Sequence, residues 1–234
     1  MNILHHIVEP SRLLMTWQPQ DEAAPSRTRR VIGEVCVEPD RQIVFRYLKD
    51  TPDFEEACKV GFKGFPAFRL EDVETRQGVI GSLTRRLPPR TREDFADFLA
   101  QHRLPAPFNY SDLALLGYTG ARLPSDGFAL VPDFSEDAVP CDYLMEVAGL
   151  RHVPGTDVTR IHVGDAVTFE VDRANPVDQD ALLVRCQGQK IGYVNRALRA
   201  TFHCWLRAHQ VSARVEKLNG KPERPLVYVR ISVN

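Results

Sequence analysis

The sequence predicts an α+β protein in two parts. A mixed strand-and-helix domain spans residues 1–139, and a small β-barrel with one main helix spans residues 140–234. Three observations predict this. After residue 140, six β-rich segments are interrupted by a single amphipathic stretch, an order that suits an antiparallel sheet curled on itself and closed by a helix. Before it, short strand and helix signals alternate between Gly- and Pro-rich breaks. Between the two lies 135–140 (SEDAVP), which is acidic, ends in Pro and reads as an exposed boundary.

In the first part, residues 21–30 are polar and read as a loop. Residues 31–37 and 42–48 are β-rich and flank Glu38-Pro39-Asp40, a hairpin signal. Pro52 sits in the first turn of a helix expected over 54–58. In 61–68 (GFKGFPAF), three Phe at every third position, punctuated by Gly and Pro, read as apolar anchors of an irregular loop. Thr91 is positioned to cap a helix over 92–102, with Glu93 and Asp94 in its first turn and Phe95, Phe98 and Leu99 as its apolar stripe. Residues 111–116 are a second helical segment, and a strand is expected at 128–131.

In the second part, strands are expected at 143–148, 166–171, 181–186, 190–194, 211–217 and 226–233, with a helix over 196–209. Leu198, Phe202, Trp205 and Leu206 form the predicted buried stripe of that helix, leaving Arg196, Arg199 and Arg207 outward.

Composition excludes several function classes. The five cysteines are odd in number and none has C-x-x-C spacing, which argues against a disulfide framework and a zinc ribbon and fits a reducing cytoplasm. Residues 1–10 hold two histidines and no long apolar run, unlike a signal peptide. No stretch reaches the roughly 18 apolar residues of a membrane span. No phosphate-binding GxxxxGK[ST], no G-x-S-x-G and no His/Cys metal spacing occurs. Asp165, Asp178 and Asp180 are the acids from which a metal-dependent nuclease cluster would have to be drawn. The expectation is a protein with no turnover of its own, no cofactor and no membrane partner.

The net charge of −1 hides an asymmetry. Residues 141–234 carry 13 basic and 10 acidic groups. From Arg185 onward there are ten basic residues against Glu216 and Glu223 alone, interleaved with Tyr193, Trp205 and Tyr228. A cationic stretch with aromatics suits a polyanion.

Four phrases then occur in order: 147–152 (VAGLRH), 162–165 (HVGD), 172–182 (DRANPVDQDAL) and 190–196 (KIGYVNR). Together they resemble the HIRAN family, over about 40% of the chain. The resemblance implies an OB-like barrel that binds single-stranded DNA at a free 3′ end. It implies that Arg151 and His152 contact the terminal nucleotide, that Asp178 receives the terminal hydroxyl, and that Tyr193 and Arg196 bind phosphate. Two positions depart from the family's phrases. His152 stands where Tyr would stack, and Val177 replaces a second aromatic. Base stacking contributes roughly 1–3 kcal/mol per base, so the departures leave duplex, RNA or a protein ligand open.

The phrases 87–95 (LPPRTREDF) and 117–126 (GYTGARLPSD) resemble the N-terminal subdomain of HipA-type kinase toxins. No kinase core follows. That resemblance implies a domain acting by protein contact, in a bacterial toxin–antitoxin or defence setting. Two functional readings follow: a non-enzymatic DNA-binding protein, or a protein-interaction regulator whose barrel binds no nucleic acid.

Overall fold

A computed structural model of the chain describes residues 2–21, 24, 26–150, 153, 155–221 and 224–234. They form two compact units that are not contiguous in sequence. One comprises residues 9–102 and 106–134; the other comprises 1–8, 103–105 and 135–234. The expected division at 139/140 had assigned residues 1–8 and 103–105 to the first domain.

The first unit is built on an antiparallel sheet of order β3-β2-β1-β4, from β1 (Arg12–Trp17), β2 (Arg30–Val37), β3 (Ile43–Tyr47) and β4 (Ala129–Pro132). Helices α1 (Pro52–Lys59), α2 (Val79–Thr84), α3 (Phe95–Gln101) and α4 (Asp112–Thr119) complete it. Thr51 and Ser111 cap α1 and α4 through their side chains. Thr91 does not start a helix. The turns of 89–95 close first, Arg92 holds the Asp94 carboxylate, and α3 begins only at Phe95. Phe62, Phe65 and Phe68 are all buried in the core, where Phe45, Tyr47 and Phe54 also lie. The Tyr47 hydroxyl pins their loop, donating to the Phe68 carbonyl and accepting from the Phe65 N–H, each at 2.8 Å.

In the second unit, β5 (Cys141–Glu146), β10 (Arg224–Val233) and β9 (Val211–Lys221) form one antiparallel sheet in that order. β6 (Val167–Val171), β7 (Leu182–Cys186) and β8 (Gln189–Tyr193) form another. The six strands run in cyclic order, because single bridges join Ala148 to Tyr193 and Ala166 to Arg214. Each seam carries one bridge rather than a ladder, so the expected barrel is observed as two three-stranded sheets joined by isolated bridges and not as one continuous closed sheet. Helix α5 (Arg199–Ala208), entered through a 3-10 turn at Arg196–Leu198, buries Phe202 against Phe169 and Trp205 against Phe202. Leu206, expected in that stripe, is 38% exposed. Residues 198, 202 and 205 sit within one narrow arc, and 206 falls about 80° round the helix from 198.

Residues 2–8 are tied to this unit by specific bonds. The Leu4 N–H donates to the Arg103 carbonyl at 2.7 Å, and the Asp142 N–H donates to the His6 carbonyl at 2.7 Å. Leu4 and Ile7 are buried. Glu216, also buried, is held by Arg103 Nε at 2.6 Å and Asn2 Nδ2 at 3.2 Å. Among the described residues, no helix is long and apolar enough to cross a membrane.

Candidate nucleic-acid interface

The loop 172–181 between β6 and β7 organises the candidate site. Its base is closed by Asp172 N–H donating to the Ala181 carbonyl at 2.8 Å. Inside it, Asn175 Oδ1 accepts the N–H groups of Val177 (2.9 Å) and Asp178 (3.1 Å), the Asx geometry that an Asn-Pro start favours. Asp178 Oδ1 then accepts the Asp180 N–H at 3.1 Å. Val177, 76% exposed, stands at the loop's surface.

Two carboxylates of this loop meet cations. Asp178 Oδ2 pairs with Arg199 Nη1, the first residue of α5. Asp172 Oδ2 accepts the Tyr193 hydroxyl at 2.7 Å and Lys190 Nζ at 3.3 Å. Lys190 Nζ also donates to the Tyr193 hydroxyl and lies 4.4 Å from the centroid of its ring. The Tyr193 hydroxyl, followed by Lys190, holds the Asp172 carboxyl below the usual carboxylate range. Burial pushes the Lys190 ammonium down, but Tyr193 and Asp172 outweigh it and keep its pKa above the ordinary lysine value.

Lys190 and Tyr193 are three residues apart, an odd spacing that in a regular strand points side chains to opposite faces. A bulge resolves this. Tyr193 pairs with Leu183 and Lys190 with Arg185, so Ile191 is the extra residue and both side chains share a face. Gly192 lies beside it at φ 142°. A Cβ at Gly192 would fall 2.6 Å from Val147 Cγ1 and closer still to the Ala148 carbonyl oxygen. Here the glycine admits a neighbouring backbone: Ala148 and Tyr193 exchange N–H···O bonds of 2.9 and 2.8 Å across the seam.

The sequence-predicted residues are distributed as follows. Asp178 lies in the loop, and Tyr193 reaches the same loop through Asp172. Arg196 opens the 3-10 turn that Asn195 caps, one turn before Arg199. Asp178 and Tyr193 therefore meet at one loop, and Arg196 precedes in sequence the Arg199 that pairs with Asp178. Arg151 and His152 lie outside the described residues; the preceding Ala148 borders Tyr193 directly. Sequence reasoning missed Asp172, Lys190 and Arg199. Arg199 was expected to point outward, and its carboxylate partner explains why it does not project alone. Asp165, the remaining member of the nuclease cluster considered above, is bound by Gln187 and the His162 N–H. Those contacts are near the end of β7 opposite to Ala181. Among the described residues, no three His, Cys, Asp or Glu side chains are placed to hold a metal ion.

None of the curated proteins matches this chain. Among solved structures, the HIRAN domain of human HLTF is similar at 20% identity and a TM-score of 0.31, covering 39% of this chain and 74% of that one. A structural-genomics protein from Lactobacillus plantarum is similar at 19% identity and a TM-score of 0.30, covering 39% and 92% respectively. Residues 142–234 match the family model of the HIRAN domain, so the loop, the bulged strand and the helix start of the candidate interface all lie within a HIRAN-type domain.

Proposed function

We propose that this protein is a non-enzymatic DNA-binding protein that holds single-stranded DNA at a free 3′ end through its HIRAN-type domain. The observation that carries the proposal is the loop 172–181. It pairs two carboxylates with cations, Asp172 with Lys190 and Asp178 with Arg199, and holds the Tyr193 ring beside Lys190. A carboxylate repels phosphate but accepts a sugar hydroxyl, while neighbouring cations and helix-start N–H groups attract phosphate. Such a mixture suits a terminal nucleotide, which carries a free hydroxyl beside its phosphate, and the 3′ terminus is the end proposed here. Tyr193 supplies a flat ring for a base.

The test is fluorescence anisotropy with short strands ending in 3′-hydroxyl or 3′-phosphate, over a series of salt concentrations. Arg196→Ala should weaken both strands and lower the salt slope by about one phosphate contact. Asp178→Ala should weaken the hydroxyl-ended strand selectively. Because Asp178 also holds Arg199, Arg199→Ala is measured beside it. If Arg199→Ala reproduces the Asp178 effect on both strands, Asp178 acts only by positioning Arg199 and end recognition is lost from the proposal. No binding by the wild-type chain would leave the alternative regulator.

A further inference from the structure

Tyr193 has one hydroxyl proton, and Asp172 takes it. The hydroxyl donates to Asp172 Oδ2 at 2.7 Å and accepts from Lys190 Nζ. That bond, with Lys190 beside it, holds the Asp172 carboxyl below the usual carboxylate range, so the carboxylate accepts and the phenol is the donor. Phosphodiester oxygens also only accept. A phosphate contact from this hydroxyl, the role the resemblance implies for Tyr193, therefore competes with the bond to Asp172.

Lys190 is better placed to make that contact. An ammonium carries three N–H donors. Among the described residues, Tyr193 and Asp172 engage two of them, and the Lys190 side chain is 33% exposed. Ala148 bridges Tyr193, and the Thr156 hydroxyl donates to the Lys190 carbonyl at 2.8 Å. The residues between those two that lie outside the described ones are Arg151, His152 and Pro154, none a carboxylic acid. The ammonium is also fixed in advance. A lysine head sits on a flexible four-carbon stem. Here two hydrogen bonds and a ring centroid 4.4 Å away hold it, and the bulge at Ile191 puts it on the face of Tyr193. Folding has thus already ordered a side chain that binding would otherwise have to order. Its carboxylate partner opens loop 172–181, so the ammonium stands beside the element proposed to receive the terminal hydroxyl.

We infer that Lys190 is a phosphate ligand of the interface, contacting a phosphodiester close to the terminal nucleotide, and that Asp172 and the Tyr193 hydroxyl position its ammonium. The inference rests on the reading that the HIRAN-type unit holds a DNA end. It divides Tyr193 into two roles: the hydroxyl positions Lys190, and the ring serves a base. Pairing with Asp172 lowers the long-range attraction of Lys190, so the contact shows in affinity more than in salt slope.

The test is a cycle between protein and DNA, read by anisotropy with the full chain. Strands ending in a 3′-hydroxyl carry one uncharged methylphosphonate at each of the last three linkages in turn. In the wild type one of these linkages should cost about tenfold, the size of a lost charge-assisted hydrogen bond. Lys190→Met should cost about tenfold on the unmodified strand and nothing further on the strand modified at that linkage, because two deletions of one contact do not add. Asp172→Asn/Lys190→Met should show the same loss. Recovery of wild-type affinity in that double variant would mean that Lys190→Met merely exposed Asp172, and overturns the inference. Unchanged thermal transitions confirm the fold of both variants. Additive losses at all three linkages, or a Lys190→Met affinity within about twofold of wild type, also overturn it. In each of these cases the end-binding reading stands while the wild type prefers a 3′-hydroxyl to a 3′-phosphate. Absence of any binding by the wild type removes that reading and the inference together.

Discussion

Replacing Asp142 by Ala removes the acceptor that ties residues 1–8 to the HIRAN-type unit. Asp142 is 1% exposed. Its Oδ2 accepts the N–H groups of His5 (2.8 Å) and His6 (3.2 Å) and Arg230 Nη2 (3.1 Å), and its Oδ1 accepts the Ser232 hydroxyl. Four donors at about 1.5 kcal/mol each, the low end for a charged acceptor, sum to about 6 kcal/mol. Arg230 keeps some access to water and the freed amides of His5 and His6 hydrate once the segment lifts. The expected loss is therefore about 3 kcal/mol, or about 12 °C in Tm for a unit of this size. Urea and thermal unfolding measure it, and hydrogen exchange at His5 and His6 should accelerate. The sign of the pH dependence follows from the same contacts. Burial pushes the Asp142 carboxyl up, but Ser232, the two backbone N–H groups and Arg230 outweigh it and hold it below the usual carboxylate range. A depressed folded value means the stabilisation is complete above the ordinary carboxylate range and is lost as pH falls through the folded value. The advantage of the wild type over Asp142→Asn should shrink accordingly in acid. A loss under about 1 kcal/mol at neutral pH would refute the anchoring argument.

Gly192→Ala should cost about 3 kcal/mol, because the positive φ strains any Cβ and the new methyl meets Val147 and the Ala148 carbonyl across the seam; denaturant unfolding that shows less than about 1 kcal/mol would mean the seam yields easily. Tyr193→Phe keeps the ring and loses the bonds to Asp172 and Lys190, so DNA affinity should change by no more than about threefold, while Tyr193→Ala should lose roughly 1–3 kcal/mol of stacking. Equal losses for Phe and Ala in the same titration would assign the role to the hydroxyl.

The strands of the HIRAN-type unit were legible because alternation survives in them. Val227, Val229, Ile231 and Val233 mark β10, and the expected spans of β6, β7 and β8 were within one residue of those observed. Helix α5 was legible from Phe202 and Trp205, and its entry as a 3-10 turn was not. In the first unit β1 (RLLMTW) and α2 (VIGSLT) went unread, since six residues hold too little periodicity and Gly81 interrupts the helix. The loop's turn chemistry was visible in Asn175-Pro176. Its ion pairs were not: Lys190 reaches Asp172 only because of the bulge at Ile191, and Arg199 reaches Asp178 only once α5 begins after the 3-10 turn. The place of residues 1–8 was equally hidden, because Asp142 receives backbone N–H groups, which leave no mark in side-chain identity.

Pairing of the loop's cations changes what formal charge means here. A paired Lys190 or Arg199 presents phosphate with a near-neutral group, and drawing either away from its carboxylate leaves Asp172 or Asp178 facing the ligand. For an internal nucleotide that exchange gains a phosphate contact and creates a repulsion. For a terminal nucleotide the vacated carboxylate acquires a hydroxyl donor, so the exchange proceeds without an orphaned charge. Selectivity for an end can thus arise from the carboxylates, with attraction supplied by cations outside the loop. On this reasoning the paired carboxylates of the loop are what distinguishes an end from an internal nucleotide.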